Sequence, residues 1–320
     1  MKKYIPELAQ YLEKYLSIRS ISFIRVDPQT FVSMIHMMFT PFSPGIDEKD
    51  LMRGMKQKVL YCLWNTVIDD TIEYTADGSR AIKETLTILS QTTNEDALQK
   101  PETEAGLIMQ DFIQEFHEFP LNPNTLLSRE LMFLDLVRVI NGFDYERLIH
   151  EHSTMGTLSE YMEFSTATID LRIFLDIDLA VYGDPLKSST IGDLRQAYHW
   201  FDIAIKLSSD IATFQREFMV EASHNAIILQ GQQDGSLPRD ILKAGSEYKA
   251  QFETKIPPLV NQIKKKGRKY LIRSLDYLEK IDELDTTEIA AVFKNSFEKY
   301  PGMKTFSYPG SRNQKGSVKA

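Results

Sequence analysis

Apolar residues recur along this chain at every third or fourth position over long stretches, and strict alternation is almost absent. The pattern predicts helices and no sheet. Helices are expected over residues 6–18 and 28–39, then a long one over 47–74, with Asp47 as its N-cap. Further helices are expected over 79–91, 104–118, 124–150, 157–182 and 190–230, the last with room for a bend. Three more are expected over 238–254, 257–281 and 286–300. Thr157 with Glu160 three residues later reads as a capping box. The breaks are short and turn-like: PFSPG at 41–45, ADG at 76–78 and GDP at 183–185. No repeat at a solenoid period is visible. Short connections and no linker predict one all-α domain over residues 1–301, and a Gly-, Ser- and Lys-rich tail over 302–320 predicts disorder. Several helices are apolar on more than one face, as in a bundle around a central pocket.

Composition narrows the function classes. Of 320 residues, only 15 are Gly and 13 are Pro, which suits long unbroken helices. The net charge is -8 with no basic stripe, which argues against nucleic acid as a ligand. An anionic substrate stays possible if bound metal ions carry the local positive charge. The single cysteine, Cys62, allows neither an intramolecular disulfide nor a cysteine zinc cluster and reads as a buried thiol. No segment has the character of a signal peptide or the length of a membrane span, so a cytoplasmic protein without membrane insertion is expected. The six histidines form no HExxH pattern, and neither a glycine-rich phosphate loop nor a nucleophile elbow is present.

Two polar clusters stand out because each leaves an apolar run. The first is DDTIE at 69–73, after YCLWNTVI. Asp69 and Glu73 are four apart and share a helix face, with Asp70 beside them. Three carboxylates on one turn repel unless a cation lies among them, and carboxylates are the hard ligands that Mg²⁺ takes. A solvated acidic helix end is the plain alternative. The second cluster is SSDIATFQREF, after YHWFDIAIKL. Ser209, Thr213 and Glu217 fall on one helical stripe and offer three oxygens to a cation. Arg216 beside them can hold a diphosphate by charge-assisted bonds. A polar surface stripe is the alternative here.

Taken together, the clusters resemble a known family. DDTIE resembles the aspartate-rich motif DDxx(D/E) of class I terpenoid cyclases, and SDIATFQRE resembles their second metal motif, (N/D)Dxx(S/T)xx(K/R)E. The resemblance covers roughly residues 30–260 and includes YCLWNTVIDD, GTLSEYMEFSTAT and HNAIIL. It implies the family's α-helical bundle around an apolar pocket. It implies magnesium-dependent ionisation of farnesyl or geranylgeranyl diphosphate, followed by carbocation cyclisation. Asp69 would bind two of three Mg²⁺ ions, and Ser209, Thr213 and Glu217 the third. Asp70 and Glu73 would support the first site, and Arg216 would grip the diphosphate. Tyr61 and Trp64 are candidate aromatic faces for the cation, with core packing as their alternative. Family members are often dimers, so a homodimer is possible.

The match departs from the family in three places. Ser209 stands where asparagine is commonest. Ser165 stands where a diphosphate-sensing arginine is usual, and Arg172, further along, is a candidate replacement. Ser165, Thr166 and Thr168 can bond back to the backbone and bend their helix. The family's C-terminal Arg-Tyr pair is replaced by Lys299-Tyr300 as the candidate, with Arg268-Lys269-Tyr270 too early and KKKGRK at 264–269 read as a solvated face. Two rival readings remain: a catalytically silent protein that binds a prenyl ligand or a partner, and a chain-elongating prenyl transferase. The transferase should carry a second aspartate-rich motif, which SDIATFQRE is not.

Overall fold

The computed structural model describes residues 2–22, 26–39, 46–91 and 100–302. Among these, the regular structure is helical throughout, as the periodicity predicts. The turn at 41–45 and the tail at 303–320 lie outside the described residues. Among the described residues, no helix is long and apolar enough to cross a membrane.

The α-helices in chain order are α1 (Ile5–Arg19), α2 (Pro28–Ile35), α3 (Glu48–Tyr74), α4 (Gly78–Gln91), α5 (Glu104–His117), α6 (Thr125–Glu151) and α7 (Leu158–Phe164). They continue as α8 (Arg172–Val181), α9 (Ser188–Arg216), α10 (Ala226–Gln233), α11 (Ser246–Ala250), α12 (Ile256–Leu278) and α13 (Thr287–Lys299). The Asp47 side chain caps α3 by accepting from the Lys49 N–H at 3.0 Å. Thr157 caps α7 by accepting from the Glu160 N–H at 3.2 Å.

Two helices organise the bundle. α3 is buried on every side over residues 57–64, because α1, α4, α5, α6 and α8 surround it. α9 packs chiefly on α12 and also on α8, α10 and α13. A cavity lined from both α3 and α9 separates these two long helices.

Three expected helices are corrected. The helix expected over 157–182 is two helices, α7 and α8, joined by a 3-10 turn at Ser165–Ile169. The hydroxyls do compete with the helix. Thr166 Oγ1 donates to the Met162 carbonyl at 3.0 Å, and Thr168 Oγ1 donates to the Ser165 carbonyl at 2.9 Å. The helix expected over 190–230 ends at Arg216 and passes into a π-turn, Glu217–Glu221. It stops at Ala222, whose φ of 54° is left-handed, and α10 then restarts behind the Asn225 cap. The segment at 238–254 is two 3-10 turns around the five-residue α11 rather than one helix.

The break between α7 and α8 is held open from several sides. The Leu171 N–H donates to Asp202 Oδ1 at 2.8 Å, and the Arg172 N–H donates to Asp170 Oδ1 at 3.0 Å. Asn65 Nδ2 donates to the Thr168 carbonyl at 2.6 Å. Beneath the break lies a buried ion network. Asp170 meets Arg172 at 2.5 Å and Arg138 at 2.6 Å, and Asp135 meets Arg195 at 2.7 Å. Burial alone would raise the Asp170 pKa, but Arg172 and Arg138 outweigh it and hold the carboxyl below the usual range. Burial, then the charge of Asp170, pushes Asp202 well above its ordinary value.

Gly142 of α6 lets the break come close. A Cβ there would stand 2.8 Å from the Phe164 carbonyl oxygen and 3.2 Å from Ala167 Cβ. Gly192 of α9 has nothing within 4 Å of the same built atom. Gly142→Ala is therefore expected to lower stability by about 1–3 kcal/mol through overpacking against backbone. Gly192→Ala is expected to raise it by up to about 1 kcal/mol through helix propensity. Urea unfolding of the two variants side by side checks both signs.

Candidate active site

The cavity between α3 and α9 measures about 180 Å³. One part of its wall is apolar, with Phe31, Ile35, Met38, Phe143 and Phe174 among the residues that form it. The other part carries the two polar clusters. Asp69 and Glu73 reach it from α3, and Ser209, Thr213, Arg216 and Glu217 reach it from α9 and the π-turn.

The carboxylates of Asp69, Asp70 and Glu73 lie together, each offering an oxygen within 4.8 Å of the others. Asp70 is buried and is not part of the cavity wall, so Asp69 and Glu73 present the cluster to the cavity. Oxygen donors at this spacing suit a hard divalent cation. Across the cavity, Thr213 Oγ1 donates to the Ser209 carbonyl at 3.0 Å, which leaves its lone pairs available. Glu217 Oε2 accepts from Asn225 Nδ2 at 2.6 Å. Burial, then the charge of Asp210, pushes the Glu217 carboxyl up to about 7. A cation at this second cluster would relieve that carboxylate, so both donor sets fit a divalent metal.

Asp210, the neighbour of Ser209, serves the backbone instead. Its Oδ2 accepts from the Ala226 N–H at 3.0 Å, and its Oδ1 accepts from the Tyr161 hydroxyl at 3.1 Å. It thereby ties the restart of α10 to α9 and α7, and so fixes the π-turn that carries Glu217. The same turn is tied to α3. Tyr74, at the end of α3, donates to Glu221, whose Oε2 lies 3.0 Å from Arg216 Nε.

The remaining sequence candidates fall as follows. Tyr61 and Tyr300 are part of the cavity wall. Trp64 is fully buried and lies behind Tyr61, with ring centroids 5.9 Å apart, so it packs in the core. Lys299 is exposed and outside the wall. Arg268 is exposed beside Glu298 on α12, away from the cavity. Ser165 is fully buried and outside the wall. Arg172 does not replace a sensor at this cavity, because its guanidinium is engaged by Asp170, Asp135 and Asp202 in the network below.

Among the cavity residues that escaped sequence reading are Asn65, Glu146 and Lys206. Lys206 Nζ donates to Glu146 Oε1 at 2.8 Å and lies 3.4 Å from Thr168 Oγ1. Burial pulls the lysine pKa down, but Glu146, Tyr161 and Asp210 outweigh it and keep the ammonium charged. Burial pushes the Glu146 carboxyl up against the pull of Lys206. A sequence signal existed for two of the three. Lys206 interrupts the apolar run before Ser209, and Asn65 stands one turn before Asp69 on the same face.

The region matches the family described as terpene synthase family 2, C-terminal metal binding, over residues 60–239, more than half of the chain and inclusive of both clusters. The chain belongs to the terpene synthase family. It is thus a class I terpene synthase, an enzyme with a divalent metal cofactor. Solved structures agree on the fold. The 2-methylisoborneol synthase of Streptomyces coelicolor A3(2), in complex with Mg²⁺ and geranyl-S-thiolodiphosphate, is 10% identical with a TM-score of 0.61. The match covers 96% of this chain and 94% of that one. The linalool/nerolidol synthase of Streptomyces clavuligerus, in complex with 2-fluorogeranyl diphosphate, is 10% identical with a TM-score of 0.59, over 94% and 92% of the two chains. A single-residue variant of cucumene synthase is 11% identical with a TM-score of 0.57, over 93% and 95%. No curated protein matches at the sequence level.

At the edge of this synthase's cavity, His224 Nε2 meets the Ser153 carbonyl at 2.9 Å. Burial lowers its pKa from 6.5 to about 4. The folded value lies below the unfolded one, so the contribution of His224 is complete above pH 6.5 and is lost as pH falls from 6.5 towards 4. The raised carboxyls, Asp202 among them, act with the opposite sign, so the readout must be a difference. Between pH 7 and pH 5, His224→Gln is expected to lose less unfolding free energy than the wild type, as measured by urea titration at each pH.

Proposed function

We propose that this terpene synthase ionises a linear prenyl diphosphate with Mg²⁺ as its metal, and that the cation it releases is cyclised in the apolar part of the cavity. The observation that carries the reading is the placement of two oxygen clusters on opposite sides of one cavity that also carries an apolar patch formed by Phe31, Ile35, Met38, Phe143 and Phe174. Asp69, Asp70 and Glu73 would hold metal on the α3 side, and Ser209, Thr213 and Glu217 on the other, three ions in all as the family resemblance implies. When bound, the metal ions neutralise the charge that builds on a departing diphosphate.

The protein's own groups do the rest. Arg216 lies in the cavity wall beside Glu217 and would grip the diphosphate. The acidic wall alone would repel an anion, so substrate and metal are expected to bind as one unit. Phe143, Phe174, Ile35 and Met38 exclude water from the hydrocarbon end. The Tyr61 ring, held edge-on to Phe174 with centroids 5.9 Å apart, offers a rigid aromatic surface beside the path of a cation. Farnesyl diphosphate is the proposed substrate and geranylgeranyl diphosphate the second candidate. Geranyl diphosphate joins the test because two structural neighbours carry geranyl analogues.

The test is incubation of purified protein with Mg²⁺ and, separately, the ten-, fifteen-, twenty- and twenty-five-carbon prenyl diphosphates, with gas chromatography–mass spectrometry of the extracts. A cyclic hydrocarbon or alcohol from one of them is expected. Linear alcohols alone would mean that ionisation occurs but the cation meets water. Absence of any Mg²⁺-dependent product would favour the silent prenyl-binding reading, which Ser165 in the sensor position supports.

Asp69→Ala and Glu217→Ala are each expected to cut turnover by more than about 100-fold, because each removes a ligand to the charge that drives ionisation. Their helical circular dichroism should match the wild type. Retention of most activity in either variant would overturn the metal assignment.

A further inference from the structure

Among the described residues of the cavity wall, the only lysine or arginine side chains are Lys206 and Arg216. Arg216 is bracketed by acids, with Glu221 at 3.0 Å and Glu217 at 3.8 Å. Lys206 is placed differently. It lies one turn before Ser209 on the stripe that continues through Thr213 and Glu217. Its ammonium stands against Thr168 in the 3-10 turn of the broken helix, three residues from Ser165.

Folding alone gives no account of a lysine at this position. A buried ion pair adds little net stability, and an apolar side chain would suit the run IAIKL equally well. The ammonium has three donors. Glu146 takes one at 2.8 Å, Thr168 Oγ1 at 3.4 Å is a weak second partner, and the side chain faces the cavity. The four-carbon stem can carry the charge towards an anion without backbone movement.

We propose that Lys206 binds the diphosphate of the substrate, supplying from α9 the cation that is missing at Ser165. This rests on the function proposed above. Before the anion arrives, Glu146 neutralises the ammonium and keeps it inside the cavity. Once the diphosphate is present, Lys206 adds a charge-assisted bond on the side facing the helix break.

The test is calorimetric titration of inorganic diphosphate into protein saturated with Mg²⁺. Four proteins are compared: the wild type, Lys206→Arg, Lys206→Met, and the double variant Lys206→Met with Glu146→Gln, which removes the stranded carboxylate. Both methionine proteins are expected to bind diphosphate about 10- to 100-fold more weakly, as befits loss of a charge-assisted hydrogen bond. Lys206→Arg should stay close to the wild type. Titration of Mg²⁺ alone should be the same for all four, which separates loss of the anion contact from damage to the metal clusters. If neither methionine protein folds, Lys206→Gln, whose amide can still bond Glu146, is expected to show the same loss. A folded double variant, or a folded Lys206→Gln, that binds diphosphate like the wild type would overturn the assignment. A wild type that binds no diphosphate with Mg²⁺ present would overturn the reading of the site itself, and this inference with it.

Discussion

The interruption between Phe164 and Arg172 is the constraint on which the rest of the structure depends. Breaking a helix inside a core strands backbone N–H and C=O groups that no water can reach, and each must find a partner. Here Asp202 and Asp170 take the two N–H groups that restart α8. Asn65 and Tyr61 of α3 take the carbonyls of Thr168 and Asp170. The buried aspartates need countercharges in turn, which Arg138 and Arg172 bring. Two side chains of α3, Asn65 and Tyr61, are therefore committed to the break about one and two turns before Asp69. The same interactions that satisfy the break set where the first acidic cluster emerges.

Charge then decides what the cavity can hold. Asp69, Glu73, Glu146 and Glu217 face it, against Lys206 and Arg216. With the acids ionised, such a wall repels a diphosphate in a low-dielectric setting. Divalent ions between wall and ligand would reverse the sign, so the proposed diphosphate substrate would be admitted only with its metal. Burial, then the charge of Asp210, pushes Glu217 up to about 7, so a cation beside it would favour its ionised form. The proposed chemistry, which generates a cation beside an apolar surface, would gain from this coupling, because the ionising charge is assembled only when substrate and metal are bound together.

The sequence made the architecture and the two clusters legible, because both are written in local spacing. Carboxylates three and four apart, and hydroxyls four apart, share a face whatever the surroundings. The helix ends that depended on caps, at Asp47 and Thr157, were equally legible. What escaped depends on distant partners. Whether 157–182 is one helix or two is decided by Asp202, Asn65 and Tyr61, none of them in the segment. The end of α9 is decided by Asp210 reaching Ala226 across a left-handed Ala222. Glu146 and Lys206, 60 residues apart, meet only in three dimensions. Arg172 was legible as a basic residue near the break, but its carboxylate partners on α6 and α9 were not.

The second motif shows why a spacing rule can work without revealing its reason. Read along α9, Ser209 and Asp210 look like a pair of ligands. In the fold they point to different tasks. Ser209 faces the cavity, whereas Asp210 is turned inward to Tyr161 and the first turn of α10. Asn225, the cap of α10, closes the loop by donating to both the Asp210 carbonyl and Glu217. Glu217 is thus aimed by a residue eight positions later, through a π-turn whose hydrogen-bond spacing differs from that of the helix before it. The adjacent acid in the motif acts as a brace for Glu217, seven residues on. A substitution at Asp210 would therefore shift Glu217, and with it the proposed second metal site, through backbone geometry, although Asp210 is not part of the cavity wall.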